Sequence, residues 1–354
     1  MSPSCYVVSF SMSRQARCLN DTRSHLRLWL AMAIFYAEPA PAGNLDARSI
    51  NEAQWSEKRE GGSNATVLKL QVLLDRARFS PGEIDGKFGE NVEKAITAYA
   101  SAQGLDPTKG MTDDLWKALT SSGEPVIKEY TISEADVKGP FLEKIPAKMD
   151  DMKDLPALSY RSPREKLAEQ FHMSEELLSA LNPGQRFDKP GTTILVANVS
   201  NQSLSKKAAR IVVDKVEQTL RVYDKSKGLI AFYPVTVGST EKPAPDGQLK
   251  VISVARNPTY RYNPEYAFKG VKSKEPFIIR PGPNNPVGAV WIGLSMRGYG
   301  IHGTAEPGKV SKSESHGCVR LTNWDALQLA SIVAKGVIVE FQETGNSTRH
   351  KPRE

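Results

Sequence analysis

The sequence predicts a multidomain α+β protein, with a helical front half and a mostly β C-terminal domain. Apolar residues recur at spacings of three and four between Thr66 and Leu119, the period of helices that bury one face. From Ala209 the period falls to two, as in half-buried strands. Polar stretches over residues 43–63 and 121–154, both bearing glycine, separate these regions, and 354 residues exceed what one small core needs.

Composition is that of a soluble globular protein, 40% hydrophobic and 25% charged. The formal charge of +7 is unevenly spread: residues 206–342 hold 20 Lys/Arg against 11 Asp/Glu, residues 43–205 hold 20 against 25. A basic C-terminal face suits an acidic polymer or an anionic surface. No basic run is interleaved with aromatics, so nucleic acid is not expected as a partner.

The first element is an apolar run, Leu28 to Ala37, preceded by Arg14, Arg17, Arg23 and Arg27 and followed by Ala40-Pro41-Ala42. That order is the build of a secretory signal peptide, and the run is too short to span a bilayer comfortably. We expect cleavage of residues 1–42, with translation starting at Met12 or another downstream methionine, and no integral membrane span afterwards. An uncleaved anchor is the alternative. Cys5 and Cys18 leave with the segment, so Cys318 is the one cysteine of the expected mature chain, a thiol to flag as reactive.

Residues 43–63 read as a linker. Val67, Leu70, Leu74 and Ala77 then share a helix face, stopped by Ser80-Pro81-Gly82. A tight loop, Ile84-Asp85-Gly86-Lys87-Phe88-Gly89, leads to a second helix with Val92, Ala95, Ile96 and Tyr99 on one face. A third carries Leu115, Trp116 and Leu119. The string from Val67 to Leu119, with its Leu70-Gln71 pair, Ile-Asp-Gly loop and closing Asp-x-x-Trp, resembles the peptidoglycan-binding domain 1 family over 64–120. The resemblance implies a three-helix bundle docking on glycan or stem peptide; a helical spacer without binding is the alternative.

Residues 121–154 read as a linker with a β-edge at Tyr130-Thr131-Ile132. Ser162, Pro163 and Glu165 form a capping-box start for a helix reaching Phe171. Leu177-Leu178, Asn182-Pro183-Gly184 and the closing strand Thr193 to Val196 follow. Together they resemble a degenerate LysM module over 155–198, which implies either binding of N-acetylglucosamine-containing glycan or a structural adaptor.

The β region over 207–342 contains an expected hairpin (Ile211 to Tyr223), a strand from Ile230 to Gly238, one helix from Asn323 to Ala334, and a last strand, Val337 to Phe341. We expect a sandwich-like domain rather than a barrel, followed by a polar tail over 343–354.

Two histidines fall close to Cys318: Ile301-His302-Gly303-Thr304, then Ser315-His316-Gly317-Cys318-Val319-Arg320-Leu321. A thiol is a good nucleophile only as thiolate, and an imidazole that takes its proton supplies that form. Gly317 permits a sharp turn before the thiol, and consecutive amides there suit an oxyanion. Structural zinc wants four ligands that the expected mature chain lacks. No metal or cofactor is expected.

The string Gly298-Tyr299-Gly300-Ile301-His302-Gly303-Thr304, with Ser315 to Leu321 and the preceding Pro281 to Ser295, strongly resembles the YkuD-type L,D-transpeptidase catalytic domain. The resemblance implies Cys318 as acylated nucleophile and His302 as general base, oriented by the Gly303 carbonyl. His316, Gly317 and Cys318 would form the oxyanion loop. Arg320 would anchor that loop or face the substrate carboxylate, a structural ion pair being the alternative; Ser315 would hydrogen-bond within the loop. Thr304, Trp291 and Tyr260, with Tyr262 and Met296, are candidates to line a donor groove, the alternative being packing. Ser311 stands where glycine is usual in the family.

Peptidoglycan stem peptides and glycan are then the expected partners, with an envelope lipoprotein as a second acyl acceptor, a periplasmic cell-wall location, and carbapenems as expected inhibitors. The rival readings are a cysteine carboxypeptidase or endopeptidase of peptidoglycan and a non-enzymatic wall-binding protein.

Overall fold

The computed structural model describes residues 45–55, 64–199, 205–239, 242–266, 270–313 and 317–343. The expected export segment and the tail beyond Glu343 lie outside them.

Helix α1 (Ala47–Glu52) begins where a linker was expected. Asp46 caps it by accepting from the Arg48 and Ser49 amides, both at 2.9 Å. With six residues and one buried apolar side chain, Ile50, it is too short to display a period. Helix α2 (Ala65–Arg76) is buried continuously from Val67 to Asp75 rather than on one face. The buried Lys69 makes that possible, because its ammonium donates to the Asn51 and Ala53 carbonyls at 2.8 Å each. Helices α3 (Glu90–Ala102) and α4 (Asp113–Thr120) complete the bundle, burying the apolar positions that their spacing marked.

The Leu-Gln and Ile-Asp-Gly elements hold each other. Gln71 Oε1 accepts the Gly86 amide at 2.7 Å, and Gln71 Nε2 donates to Asp85 Oδ1 at 2.9 Å. The motif's polar residues therefore secure the loop to α2.

Strand β1 (Ile127–Thr131) lies in the stretch expected as a linker, followed by α5 (Glu134–Val137) and α6 (Met149–Met152). Helices α7 (Pro163–Gln170) and α8 (Glu175–Leu181) precede β2 (Thr193–Ala197). β1 pairs antiparallel with β2 from Ile127↔Ala197 to Thr131↔Thr193. The module begun at residue 155 by sequence thus takes its first strand from upstream.

The C-terminal strands are β3 (Arg210–Asp214), β4 (Thr219–Tyr223), β5 (Leu229–Pro234), β6 (Thr236–Val237), β7 (Gly247–Arg256), β8 (Tyr260–Tyr262), β9 (Phe277–Ile279), β10 (Val290–Leu294), β11 (Gly300–His302) and β12 (Val319–Arg320). Helix α9 (Asn323–Ile332) and β13 (Ile338–Gln342) follow. Among the described residues nine strands form a continuous sheet, in the order β5-β4-β3-β13-β7-β10-β11-β12-β6, with β8-β9 as a separate hairpin. The long β7 joins its halves, pairing with β13 over residues 247–250 and with β10 over 251–256. Val213 and Val222 from one half, Ile292 and Val319 from the other, and Leu329 of α9 share one apolar core. The sandwich-like reading thus takes the form of one sheet whose halves share a core.

The described residues from Leu45 to Glu343 form one compact unit. Edge strand β5 is covered by the segment after α2: the Ser80 amide donates to the Phe232 carbonyl and the Phe232 amide to the Arg78 carbonyl, both at 2.9 Å. That pairing removes an open sheet edge. Ile84 bridges in the same way to the chain beside His172, so one loop touches the bundle, the sheet and the βααβ module made by β1, α7, α8 and β2.

Candidate active site

The site lies on β11 and β12. They run parallel with Ile301 opposite Val319 and His302 opposite Arg320. Alternation along a strand turns Ile301 and Val319 into the core and leaves His302 and Arg320 together on the other face. Cys318, two residues before Arg320, belongs to that same face, beside Gly300. On the other side of β11, Trp291 of β10 pairs with His302. Their rings stack with centroids 5.7 Å apart and planes 21° from parallel.

His302 is 4% exposed, and its Nδ1 lies 2.6 Å from the Gly303 carbonyl oxygen. A carbonyl only accepts, so Nδ1 carries the proton and Nε2 keeps its lone pair. Burial, with the Arg320 charge beside it, pushes the imidazole pKa down to about 3; the Gly303 bond acts in the opposite direction.

Cys318 is partly buried, with Sγ 3.7 Å from the Gly298 carbonyl. Burial raises its pKa, while the Gly300 amide and the Arg320 charge work against that rise. The resting pair is therefore neutral thiol and neutral imidazole. Gly317 sits at φ +95°, and a β-carbon there would fall 2.8 Å from Tyr299 Cε1, so a side chain is excluded by conformation and by space.

Arg320 is partly buried and interacts electrostatically with Cys318, Glu306 and Tyr260. Tyr260, on β8, is thereby near the site. The Thr304 hydroxyl accepts the Glu306 amide at 3.3 Å, a turn contact rather than an approach to the thiol. Tyr262 is buried and stacks on Phe277 at 4.7 Å; Met296 is 41% exposed. Ser315 and His316 lie outside the described residues. Ser311 has φ +63°, the conformation that glycine favours, and its hydroxyl donates to the Val235 carbonyl at 3.0 Å. Among the described residues no group of three or more His, Cys, Asp or Glu side chains is arranged to hold a metal.

Sequence reasoning missed Thr236, which pairs with Arg320 and whose Oγ1 accepts the Ser311 amide at 3.0 Å. It also missed Asn323 as more than a helix start: Thr322 is the cap, accepting the Asp325 amide at 3.2 Å, while the Asn323 side chain packs against Gly303.

Residues 208–340 match the L,D-transpeptidase catalytic domain family, YkuD, and residues 63–119 match the peptidoglycan binding domain family. The chain is 30% identical over 179 residues to the L,D-transpeptidase YkuD of Bacillus licheniformis, covering 50% of this chain and 92% of that protein. The chain belongs to the L,D-transpeptidase family. The L,D-transpeptidase YbiS of Escherichia coli is 31% identical over 189 residues, which cover 51% of this chain and 60% of the relative. L,D-transpeptidase 3 of Mycobacterium tuberculosis matches in structure with a TM-score of 0.32 at 17% identity, over 44% of this chain and 76% of that one. As an L,D-transpeptidase family member, the chain places its catalytic domain behind a peptidoglycan-binding bundle; no helix among the described residues is long and apolar enough to cross a membrane.

Proposed function

We propose that the protein is an exported, cell-wall-associated peptidoglycan L,D-transpeptidase with Cys318 as nucleophile and His302 as base. The observation that carries this is the shared strand face of Cys318 and His302, with the imidazole's Nδ1 proton committed to the Gly303 carbonyl. Only Nε2 is then left to take a proton.

Cys318 Sγ attacks the carbonyl carbon between the third and fourth stem residues, and its proton passes to His302 Nε2. The oxyanion meets the amides of the turn through Gly317 and Cys318, joined by that of His316. The C–N bond breaks, His302 returns the proton to the departing amine, and a D-amino acid leaves a thioester on Cys318. An acceptor amine attacks the thioester, gives its proton to His302, and the released thiolate is reprotonated. The acceptor is a second stem's diamino acid, giving a 3→3 cross-link, or a lipoprotein's C-terminal lysine.

The bundle holds the chain on peptidoglycan, and the βααβ module, as a LysM-like unit, adds a glycan contact. Arg320 and Tyr260 face the donor's carboxylate side, and the periplasm is the site of action.

The test is mass spectrometry of products from purified disaccharide-tetrapeptide with the full chain and Cys318→Ala. A Cys318-dependent dimer lacking one D-alanine supports the transferase, and carbapenem labelling should disappear in the variant. Loss of D-alanine without a dimer would make water the acceptor. Labelling that persists without Cys318 would overturn the assignment.

A further inference from the structure

Asn323, the first residue of α9, is 2% exposed and wedged between two loops of the site. A β-carbon built on Gly303 would fall 2.2 Å from its Oδ1, and one on Gly288 2.1 Å. Oδ1 accepts the Ala289 amide at 2.9 Å. Nδ2 donates to the Pro283 carbonyl at 3.0 Å and to the two carboxylate oxygens of Glu169 at 3.1 and 3.0 Å. These partners fix which end of the amide is which: an N–H must meet the oxygen, and carbonyl or carboxylate oxygens must meet the nitrogen.

Gly303 is the residue whose carbonyl holds His302 Nδ1, and the Asn323 amide packs against its α-carbon, which leaves that residue no room to shift toward α9. Its acceptor, Glu169, lies outside the catalytic domain, on α7 of the βααβ module. Tyr160 hydrogen-bonds the same carboxyl, and burial raises the Glu169 pKa to about 8. Burying a carboxyl group there costs free energy that an apolar contact between modules would not. The neighbouring contacts clamp the same loop from the same side: Asn284 Nδ2 donates to Glu165 Oε1 at 3.1 Å, and the Asn284 amide to the Leu158 carbonyl at 3.0 Å.

We propose that Glu169 is a positioning residue for His302, acting through Asn323 and Gly303, so that the front module completes the active site rather than only delivering it to the wall. The inference rests on the reading of His302 as base. Without the Glu169 carboxyl, the Asn323 amide loses the acceptor that sets its rotation. Its oxygen then leaves Ala289, and Gly303 gains room to shift toward α9. The imidazole can then place its proton on Nε2, the tautomer that cannot deprotonate the thiol.

The experiment uses the full chain with Glu169→Ala, Glu169→Gln, and Ser80→Ala as a control. Ser80 Oγ donates from the bundle to Asp325 Oδ2 on α9 at 2.9 Å, a neighbouring contact with the catalytic domain that is not to Asn323. Readouts are kcat and KM on the tetrapeptide, melting temperature, and the ¹⁵N shifts of the His302 ring. Glu169→Ala should lower kcat roughly tenfold or more with KM nearly unchanged, the effect of a small misplacement of a catalytic group. His302 should lose its single Nδ1–H tautomer. Glu169→Gln, keeping one acceptor oxygen, should fall between, and it carries the test if the alanine variant fails to fold. Ser80→Ala should move only the melting temperature. Unchanged kcat and His302 shifts in the Glu169 variants would overturn the proposal while Cys318-dependent turnover by the wild type keeps the underlying reading. A wild type without such turnover would remove both.

Discussion

Gly300→Ala tests whether the bare strand beside the thiol is what lets Trp291 reach His302. A β-carbon at residue 300 would fall 2.5, 2.6 and 2.8 Å from Cζ2, Cη2 and Cε2 of the Trp291 indole. Ordinary contact begins near 3.4 Å, so the indole must retreat by most of an ångström. Overpacking of that kind costs about 1–3 kcal/mol. Loss of the stack on His302 adds about 0.5–1.5 kcal/mol, and the better strand entropy of alanine offsets about 0.5–1 kcal/mol. The net is a destabilisation of about 1–3 kcal/mol, a melting temperature lower by several degrees at roughly 2–4 °C per kcal/mol. Because the displaced ring lies on the imidazole beside Cys318, carbapenem acylation of Cys318 should slow as well. Thermal melting and mass-resolved acylation kinetics measure both effects. A second substitution, Trp291→Phe, removes the ring that collides, and the pair should couple by more than about 0.5 kcal/mol. A Gly300→Ala protein with wild-type melting and wild-type acylation would refute the reasoning.

Two further outcomes follow from charges rather than shape. Burial raises three carboxyls at the module interface above their ordinary values: Asp325 to about 7, Glu83 to about 7 and Glu169 to about 8. A raised folded-state pKa contributes stability that is complete below the ordinary carboxyl range and is lost as pH climbs through the folded value. Melting temperature should therefore decline from about pH 4 to about pH 8, and Asp325→Asn should flatten that decline; a slope of the opposite sign in wild type, or one untouched by the substitution, would count against it. Arg320→Gln removes the cation that helps to depress His302 and lower Cys318, so both pKa values should rise. An NMR titration of the His302 ring checks this, with Arg320→Lys keeping the depressed value; a His302 pKa that stays put in the glutamine variant would show that burial acts alone.

What could be read from the sequence was local. The helices of the bundle showed because their buried faces repeat within a turn or two, and the thiol-imidazole chemistry of Cys318 and His302 showed because cysteine and histidine are scarce and close in the chain. Ser311 was legible as a departure from glycine, and the structure gives the physical sense of it: the backbone keeps the left-handed conformation, and the added hydroxyl ties it to Val235. Continuous burial of α2 was not legible, because Lys69 reads as a solvent-facing residue until α1 supplies two carbonyls. Strand β1 showed only as an edge because its partner lies beyond four helices.

The Glu169–Asn323 contact marks where such reading ends, since the two residues stand 154 positions apart. Neither residue carries a pattern: a glutamate on a short helix reads as solvated, and an asparagine after threonine reads as a cap. Their meaning comes from what α9 must do. Its first residue packs against Gly303, and a buried amide there needs acceptors for both of its N–H groups. The catalytic domain offers one, Pro283, and leaves the other to α7. An excised catalytic domain over residues 207–342 would expose that amide to water, which can accept a hydrogen bond but cannot hold a rotamer. On this argument, the modules that precede the catalytic domain in sequence are part of its mechanism.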